Sequence, residues 1–443
     1  MKLKMAFYYL ALSFPLYVCA SGPTVVISPP GPVYFAPNAQ WKIKKDYTAT
    51  LSMGDLKALD ECKITPTCTW SLSPSGNGAS IAPTTGTKTT LTLDGSNAWG
   101  KIYILTVNVV LNESAQPGAN PNPPPRGTAV PQPDPAMVTN YALKVELKDG
   151  TTVINADDYA YITGAPQMPQ LKASLKPTGL AGNAKWRIHI EYKRSPRNDD
   201  AYYPGPTAAS GGKTLGAGAT WDIASEFGTA FRGGKATLYC EYQGVECDQV
   251  FHIRGNNPTE AAAEAEIGAD PWYAKPIAKW ESDKPTQGRY YAQFNTVGTL
   301  GPNPSDYKWC PNFGGPNGWG IMQLDPPPSD ETLWNWKVNI ADGKARLADS
   351  CRTEAASWIA AQEAQQQVEE PGMPLENYAF TFNGVDFQKG TARTPIDACA
   401  IQRYNGATRR VIYWKNKTET TPGSWEINDN YRDYVDNVCG QVE

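Results

Sequence analysis

The chain has 443 residues and a formal charge of −4, with 19% charged and 11% aromatic residues, 39 glycines and 38 prolines. That length accommodates two to four domains, and the composition suits β-rich folded modules joined by loops rather than a disordered tail. With no basic excess, the chain lacks the clustered Lys and Arg that a phosphate backbone calls for, which excludes nucleic acid as a charge-driven partner.

Residues 1–20, "MKLKMAFYYLALSFPLYVCA", open with Lys2 and Lys4, continue through an uncharged apolar stretch from Met5 to Val18, and end on small residues around Ala20. This is the pattern of a cleavable export signal, so the protein is expected to be periplasmic or secreted. The apolar run is about 14 residues long and interrupted by Pro15, short of the ~20 a spanning helix needs, so the mature chain is expected to have no membrane span. Lipid anchoring at Cys19 is disfavoured by the bulky Val18 before it. Eight cysteines then remain: Cys62, Cys68, Cys240, Cys247, Cys310, Cys351, Cys399 and Cys439. An even set in an exported protein reads as disulfides, with Cys62/Cys68 and Cys240/Cys247 each able to close a short loop and the pairing of the other four left open. No Cys-x-x-Cys occurs, and His189 and His252 are the two histidines of the chain. No metal site and no cofactor is therefore expected.

Residues 22–112 give short apolar or alternating runs such as "TVVIS", "TLTL" and "IYILTVNVV" between Pro, Gly, Asn and Ser clusters. They are expected to form an all-β, immunoglobulin-like domain. Residues 113–136 contain "AQPGANPNPPPRGTAVPQPDPA", which reads as a semi-rigid linker and a domain boundary. A second immunoglobulin-like β domain is expected over 137–255. In it Tyr141, Leu143, Val145 and Leu147 alternate with polar or small residues, and Trp186, Ile188, Ile190 and Tyr192 do the same. The alternation places His189 on the wet face, and His252 in the last strand is read as a surface histidine too.

At Asn256 the pattern changes. Asn257 as N-cap and Pro258 at the first helical position open an alanine-rich helix, Asp270 and Pro271 open a second that ends near Glu281, and "GKARLADSCRTEAASWIAAQEAQQQVEE" has helical composition up to Pro371. The fold class expected is therefore multidomain: two N-terminal immunoglobulin-like sandwiches followed by a mainly α domain over 256–443.

That last region has no histidine, which excludes a Ser-His-Asp triad, a Cys-His pair and a His-ligated zinc site within it. Carboxylate chemistry remains, and glycosidic bonds suit it, because a protonated carboxyl can donate to a leaving sugar oxygen. Glu281-Ser282 at a helix end, "GWGIMQL" (Gly318 to Leu324), "WNWKVNIADGKARL" (Trp334 to Leu347) and "CAIQRYNGA" (Cys399 to Ala407) resemble, in order, four motifs of the lysozyme-like lytic transglycosylases. The resemblance covers about residues 256–442. It implies a lysozyme-like catalytic domain acting on peptidoglycan glycan strands, with Glu281 as single acid/base and 1,6-anhydro products, or a hydrolytic muramidase as the close variant. It further implies that Ser282, Ile321, Met322, Gln323 and Asn339 bind substrate or hold the groove. Tyr404 would bring its hydroxyl near Glu281, with Asn405 shaping the turn.

The chain departs from the family in two places: the separation of Glu281 from Gln323 is about double the usual, and Gly314 stands where a serine is often found. The intervening residues are expected to form a lid or extra groove wall tethered by Cys310. A non-catalytic glycan-binding or structural cell-envelope protein is the alternative of another class, and the β domains are expected to contact the wall or a protein partner.

Overall fold

The structure, a computed structural model, describes residues 24–36, 42–52, 63–76, 78–94, 96–114, 133–205, 211–282, 284–300, 307–315, 317–325, 328–407 and 410–442. The expected export signal, Cys19 and Cys62 lie outside the described residues. The chain divides into two compact units, residues 1–145 with 175–181 and 242–247, and residues 146–174, 182–241 and 248–443.

The first sandwich is built from β1 (Thr24–Ser28), β2 (Val33–Phe35), β3 (Lys42–Ser52), β4 (Lys63–Ser73), β5 (Ala79–Ala82), β6 (Lys88–Asp94), β7 (Lys101–Ser114) and β8 (Ala136–Ala142). One sheet has the order β1-β3-β6-β5 and the other β2-β8-β7-β4, with β2 parallel to β8. In immunoglobulin lettering these are the A-B-E-D sheet and the A′-G-F-C sheet. Alternation sets the faces: Tyr103, Leu105, Val107 and Val109 of β7 are all at most 5% exposed, and so face Trp70, Leu91 and Leu93 in the core. Tyr103 at the start of β7 donates its hydroxyl to the carbonyl of Ala98, 3.1 Å away, which closes the corner between β6 and β7 as a tyrosine corner does in this fold. Trp70, the tryptophan of the C strand, is 2% exposed and donates Nε1 to the Gly86 carbonyl at 2.7 Å. Burial of a side chain that size supplies roughly 3 kcal/mol.

The Pro-rich stretch is not a boundary. β7 and β8, on either side of it, are antiparallel neighbours in one sheet, with Leu105 opposite Val138. It therefore joins strands F and G of the same sandwich, and the expected linker 113–136 is corrected to an intradomain connection. The alternating run from Tyr141 to Leu147 is shared out accordingly, Ala142 ending β8 and Lys144 opening the next strand.

The second sandwich comprises β9 (Lys144–Asp149), β10 (Thr152–Ile154), β11 (Tyr159–Ile162), β12 (Leu171–Lys176), β13 (Asn183–Arg194), β14 (Arg197–Tyr203), β15 (Lys213–Gly216), β16 (Trp221–Asp222), the short helix α1 (Ala224–Phe227), β17 (Gly234–Tyr242) and β18 (Val245–Gly255). Its sheets run β10-β9-β12-β16 and β11-β18-β17-β13-β14, with β15 also on β13 and β11 parallel to β18. Trp186, Ile188, Ile190 and Tyr192 all face inward at 4% exposure or less. The expected Cys240/Cys247 staple is not formed, since Cys240 is a free thiol. The turn after it does not need one: Gln243 and Gly244 both adopt positive φ (52° and 75°), the two-residue turn whose twist matches the strands. Cys68, Cys310, Cys351, Cys399 and Cys439 are also free and buried, and burial pushes the Cys240, Cys399 and Cys439 thiols up to about 12.

The remaining elements are α2 (Glu260–Ile267), α3 (Ala274–Glu281), α4 (Lys284–Gln287), β19 (Phe313–Gly314), β20 (Gly318–Trp319), α5 (Asp330–Trp334), α6 (Trp336–Arg346), a π-helical turn (Leu347–Cys351), α7 (Arg352–Glu369), β21 (Ala379–Phe382), β22 (Val385–Gln388), α8 (Pro395–Tyr404), β23 (Ile412–Lys415), β24 (Ser424–Ile427) and α9 (Arg432–Cys439). The expected mainly α, lysozyme-like domain is corrected. Strand exceeds helix among the described residues, 40% against 25%, and three two-stranded antiparallel ribbons, β19–β20, β21–β22 and β23–β24, interleave the helices of this region. The turn of β21–β22 is Asn383-Gly384, both at positive φ, a hairpin signal that a reading by helical composition passes over. The first helix also starts later than expected. Thr259, not Asn257, caps α2 by accepting from Ala262 N at 3.1 Å, while Asn257 clamps the main chain of Phe294 through two bonds of 2.8 Å.

Candidate active site

Glu281 is the last residue of α3. The helix buries Ala274, Ile277 and Ala278 in the core of this region, and it stops at Ser282. The Ser282 hydroxyl donates to the Ala278 carbonyl at 2.7 Å and accepts the Tyr291 main-chain N–H at 2.7 Å. Ser282 is thus fully buried and occupied in ending the helix and tying it to the next segment, not a substrate contact. Glu281 is left partly buried at the helix end.

Three side chains define the surroundings of its carboxyl. Tyr434 of α9 donates its hydroxyl to Glu281 Oε1. Arg346, the last residue of α6, acts on Glu281 by charge, and Tyr404 at the end of α8 lies within reach of the same field. Burial pushes the Glu281 carboxyl up to about 7, against the opposing pull of the Tyr434 hydrogen bond and the Arg346 charge. A position at a helix C-terminus adds to the cost of a negative charge there. Burial, and then the Glu281 charge, raise the Tyr434 and Tyr404 phenols well above their usual range, so both hydroxyls stay protonated donors.

The residues of the "GWGIMQL" motif are placed differently from expectation. Ile321 and Met322 are fully buried and belong to the core, so their side chains do not line an open surface. Their main chain is what the site uses. Tyr404 donates its hydroxyl to the Met322 carbonyl at 2.6 Å, rather than to Glu281. Asn339, fully buried on α6, accepts Met322 N at 2.9 Å and donates to the Trp319 carbonyl at 3.1 Å. Gly343, one turn further on, leaves room for Met322: a Cβ there would come within 2.5 Å of Met322 Cγ. Asn339 and Gly343 therefore hold one loop against one helix, and the Asn-Ile…Gly spacing has a packing reason. Gln323 is partly exposed, at positive φ (43°), with its amide donating to Gly320 O at 2.8 Å. Asn405 is exposed at the C-cap of α8.

Gly314 also has a reason. It pairs with Gly318 across β19–β20, and a Cβ on either would run into Gln323 Oε1. The glycines make the recess in which the Gln323 side chain lies, so a serine at 314 would push the Gln323 amide out of this position.

The long segment before the motif is not a free lid. Arg194 of β13 donates to the Pro311 carbonyl at 3.3 Å and lies 4.0 Å from the Tyr307 ring centroid and 4.9 Å from that of Phe313. Gly255 N donates to Trp309 O at 2.9 Å, and Asn295 and the Cys310 segment exchange main-chain bonds of 2.8 Å. The segment is thereby fastened to the second sandwich within one compact unit. His252, read from the sequence as a surface residue, lies instead beside Tyr159 of β11, their ring centroids 5.3 Å apart. It is 2% exposed, neither ring nitrogen has a hydrogen-bond partner, and burial holds its pKa down at about 4. His189 remains at the surface, 2.8 Å from Asp200.

The carboxylates nearest to Glu281 and Gln323 in sequence are Asp283, Asp325 and Asp330, and neither Asp325 nor Asp330 is among the groups that act on Glu281. Asp330 pairs with Arg197, Asp325 offers its main-chain oxygen to Arg346, and Asp283 lies outside the described residues. No group of three or more His, Cys, Asp or Glu side chains among the described residues is arranged to hold a metal ion. No helix among them is long and apolar enough to cross a membrane.

Tyr434 and Arg346 are the site residues that sequence reasoning missed. The first is 153 positions from Glu281 in the chain and outside every motif considered; the second sits inside "NIADGKARL" as an apparently ordinary basic residue at the end of a helix.

No protein-family model matches the chain, and no curated protein sequence matches it. Solved structures that are similar include the I-band fragment I67–I69 of titin, at 8% identity and a TM-score of 0.19, covering 54% of this chain and 66% of that one. The tandem Ig repeats of Dlar, at 10% identity and a TM-score of 0.16, cover 54% of this chain and all of that one. At such scores the superposition carries no weight, and the immunoglobulin-like assignment rests on strand order, the parallel A′–G pairs and the tyrosine corner.

Proposed function

We propose that this protein cleaves peptidoglycan glycan strands as a lytic transglycosylase, with Glu281 as its single acid/base. The observation that carries the reading is the Glu281 carboxyl, held at about 7 by burial, with Tyr434 on one oxygen and Arg346 as its charged neighbour. A carboxyl at that value is protonated enough to donate near neutral pH and acidic enough to accept the proton back, which is what one group serving two steps requires.

In the first step Glu281 protonates the oxygen between N-acetylmuramic acid and N-acetylglucosamine, and the C1–O bond breaks. In the second the Glu281 carboxylate takes the proton of the muramoyl C6 hydroxyl, whose oxygen bonds to C1. A 1,6-anhydro end results, and Glu281 is protonated again. Tyr434, by occupying Oε1, leaves Oε2 for the sugar. Tyr404, Asn339 and Gly343 fix the Met322–Gln323 main chain opposite, and Gln323 offers an amide to the glycan. The order of the four sequence motifs supports the same reading. The β sandwiches are proposed to hold the wall or a protein partner, and the protein to act after export.

The test is digestion of purified sacculi by the unaltered chain and by Glu281→Gln. Solubilisation by the first alone is expected; equal solubilisation by both would remove Glu281 from the mechanism. Binding without solubilisation by either would favour a glycan-binding protein.

A further inference from the structure

We infer that Arg346 reads a carboxylate on the substrate, so that the site selects glycan strands bearing an anionic group beside the scissile bond over neutral strands. This rests on the glycan-cleaving role of Glu281. Arg346 closes α6 and is only partly buried. Two contacts fix its guanidinium: Nη1 donates to the Asp325 main-chain oxygen at 2.5 Å, and Cζ lies 5.2 Å from the centroid of the Tyr404 ring. Among the described residues no carboxylate lies within ion-pair distance of it, whereas Arg352 has Asp397, Arg403 has Glu354 and Arg432 has Asp436.

Glu281 does not fill that gap. As the working acid it is neutral, and burial outweighs the Arg346 charge in setting its protonation. A rigid guanidinium without a carboxylate, facing the acid and a tyrosine whose hydroxyl is already spent on Met322, suits a planar anion that can take two parallel N–H bonds. Neutral sugars offer only hydroxyls and amide oxygens. A bound carboxylate would also cancel the charge that opposes protonation of Glu281, so the right substrate would favour the acid form of the catalyst.

The test uses the full chain and glycan strands stripped of peptide, in which the lactyl carboxylate is free, beside the same strands with those carboxyls converted to amides. The kcat/KM ratio of charged to amidated strands is expected to be about tenfold or more, the weight of a charge-assisted pair, and to fall close to one in Arg346→Gln. A ratio near one in the unaltered chain overturns the inference without any variant, as does a ratio that Arg346→Gln leaves intact. Should Arg346→Gln fail to fold, Arg346→Lys serves, since loss of the fork alone is expected to lower the ratio severalfold. If the unaltered chain cuts neither strand, the cleavage reading falls on its own. The equilibrium binding ratio of Glu281→Gln against Glu281→Gln/Arg346→Gln then decides the carboxylate site separately, an unchanged ratio overturning it.

Discussion

Glu281→Gln is expected to stabilise the protein above neutral pH while abolishing cleavage. The folded carboxyl keeps its proton up to about pH 7, against an ordinary value of 4.5. Between those values the folded chain binds more protons than the unfolded one, so stability falls as pH rises. The contribution of the protonated group is complete below about 4.5 and is lost as pH passes 7. At 1.36 kcal/mol for each tenfold change, the full loss is about 3 kcal/mol. Glutamine keeps the shape and cannot ionise, so the variant should exceed the unaltered chain by about 3 kcal/mol at pH 8.5 and match it near pH 4. In urea that corresponds to a midpoint shift on the order of 1 M for a unit of this size. The assay is urea unfolding of both chains across this pH range, following the transition of the unit that contains Glu281. A difference that does not vary with pH, or a less stable variant at pH 8.5, would refute the account of a desolvated acid.

Tyr434→Phe removes a hydrogen bond that favours the ionised carboxyl. The alkaline limb of the pH–rate profile should therefore move upward, with kcat reduced about tenfold; an unmoved limb would place Tyr434 outside the acid's surroundings. Asn339→Ala should cost about 1 to 3 kcal/mol in urea unfolding, since it leaves Met322 N unpaired in the interior and takes from Trp319 O one of its two donors, the other being Leu324 N. Gly314→Ser, which restores the residue commoner in the resembling family, is expected to lower activity at a stability cost of about 1 kcal/mol or less, because its Cβ displaces the Gln323 amide from its bond to Gly320 O. A gain in activity from that substitution would mean that Gln323 lies elsewhere.

The legible parts of this molecule were those that local pattern determines. Alternation placed Trp186, Ile188, Ile190 and Tyr192 inward, and the helix end at Glu281 was legible, although that helix opens at Ala274 behind Tyr273 and not at the Asp270-Pro271 cap signal. Pairing over distance was not legible. A run of prolines looks like a linker whether or not the strands on either side of it join, and only the register of β7 with β8 shows that they do. The mainly α expectation rested on local stretches rich in Ala, Glu and Gln, such as 260–267 and 354–370, and passed over ribbons that are only two to four residues long per strand. The motif residues were recognised as a set, but their roles divided by burial. Ile321, Met322, Ser282 and Asn339 hold the site from inside, and Tyr434 and Arg346, brought in by α9 and α6, complete the surroundings of Glu281.

The central claim is that one carboxyl performs both proton transfers, and the chemistry of the product ends tests it most directly. Mass spectrometry of peptidoglycan digested by the full chain should find 1,6-anhydro-muramic acid ends, each lighter than a hydrolytic end by one water, and none of them with Glu281→Gln. Reducing ends alone, or anhydro ends that persist in the variant, would contradict it.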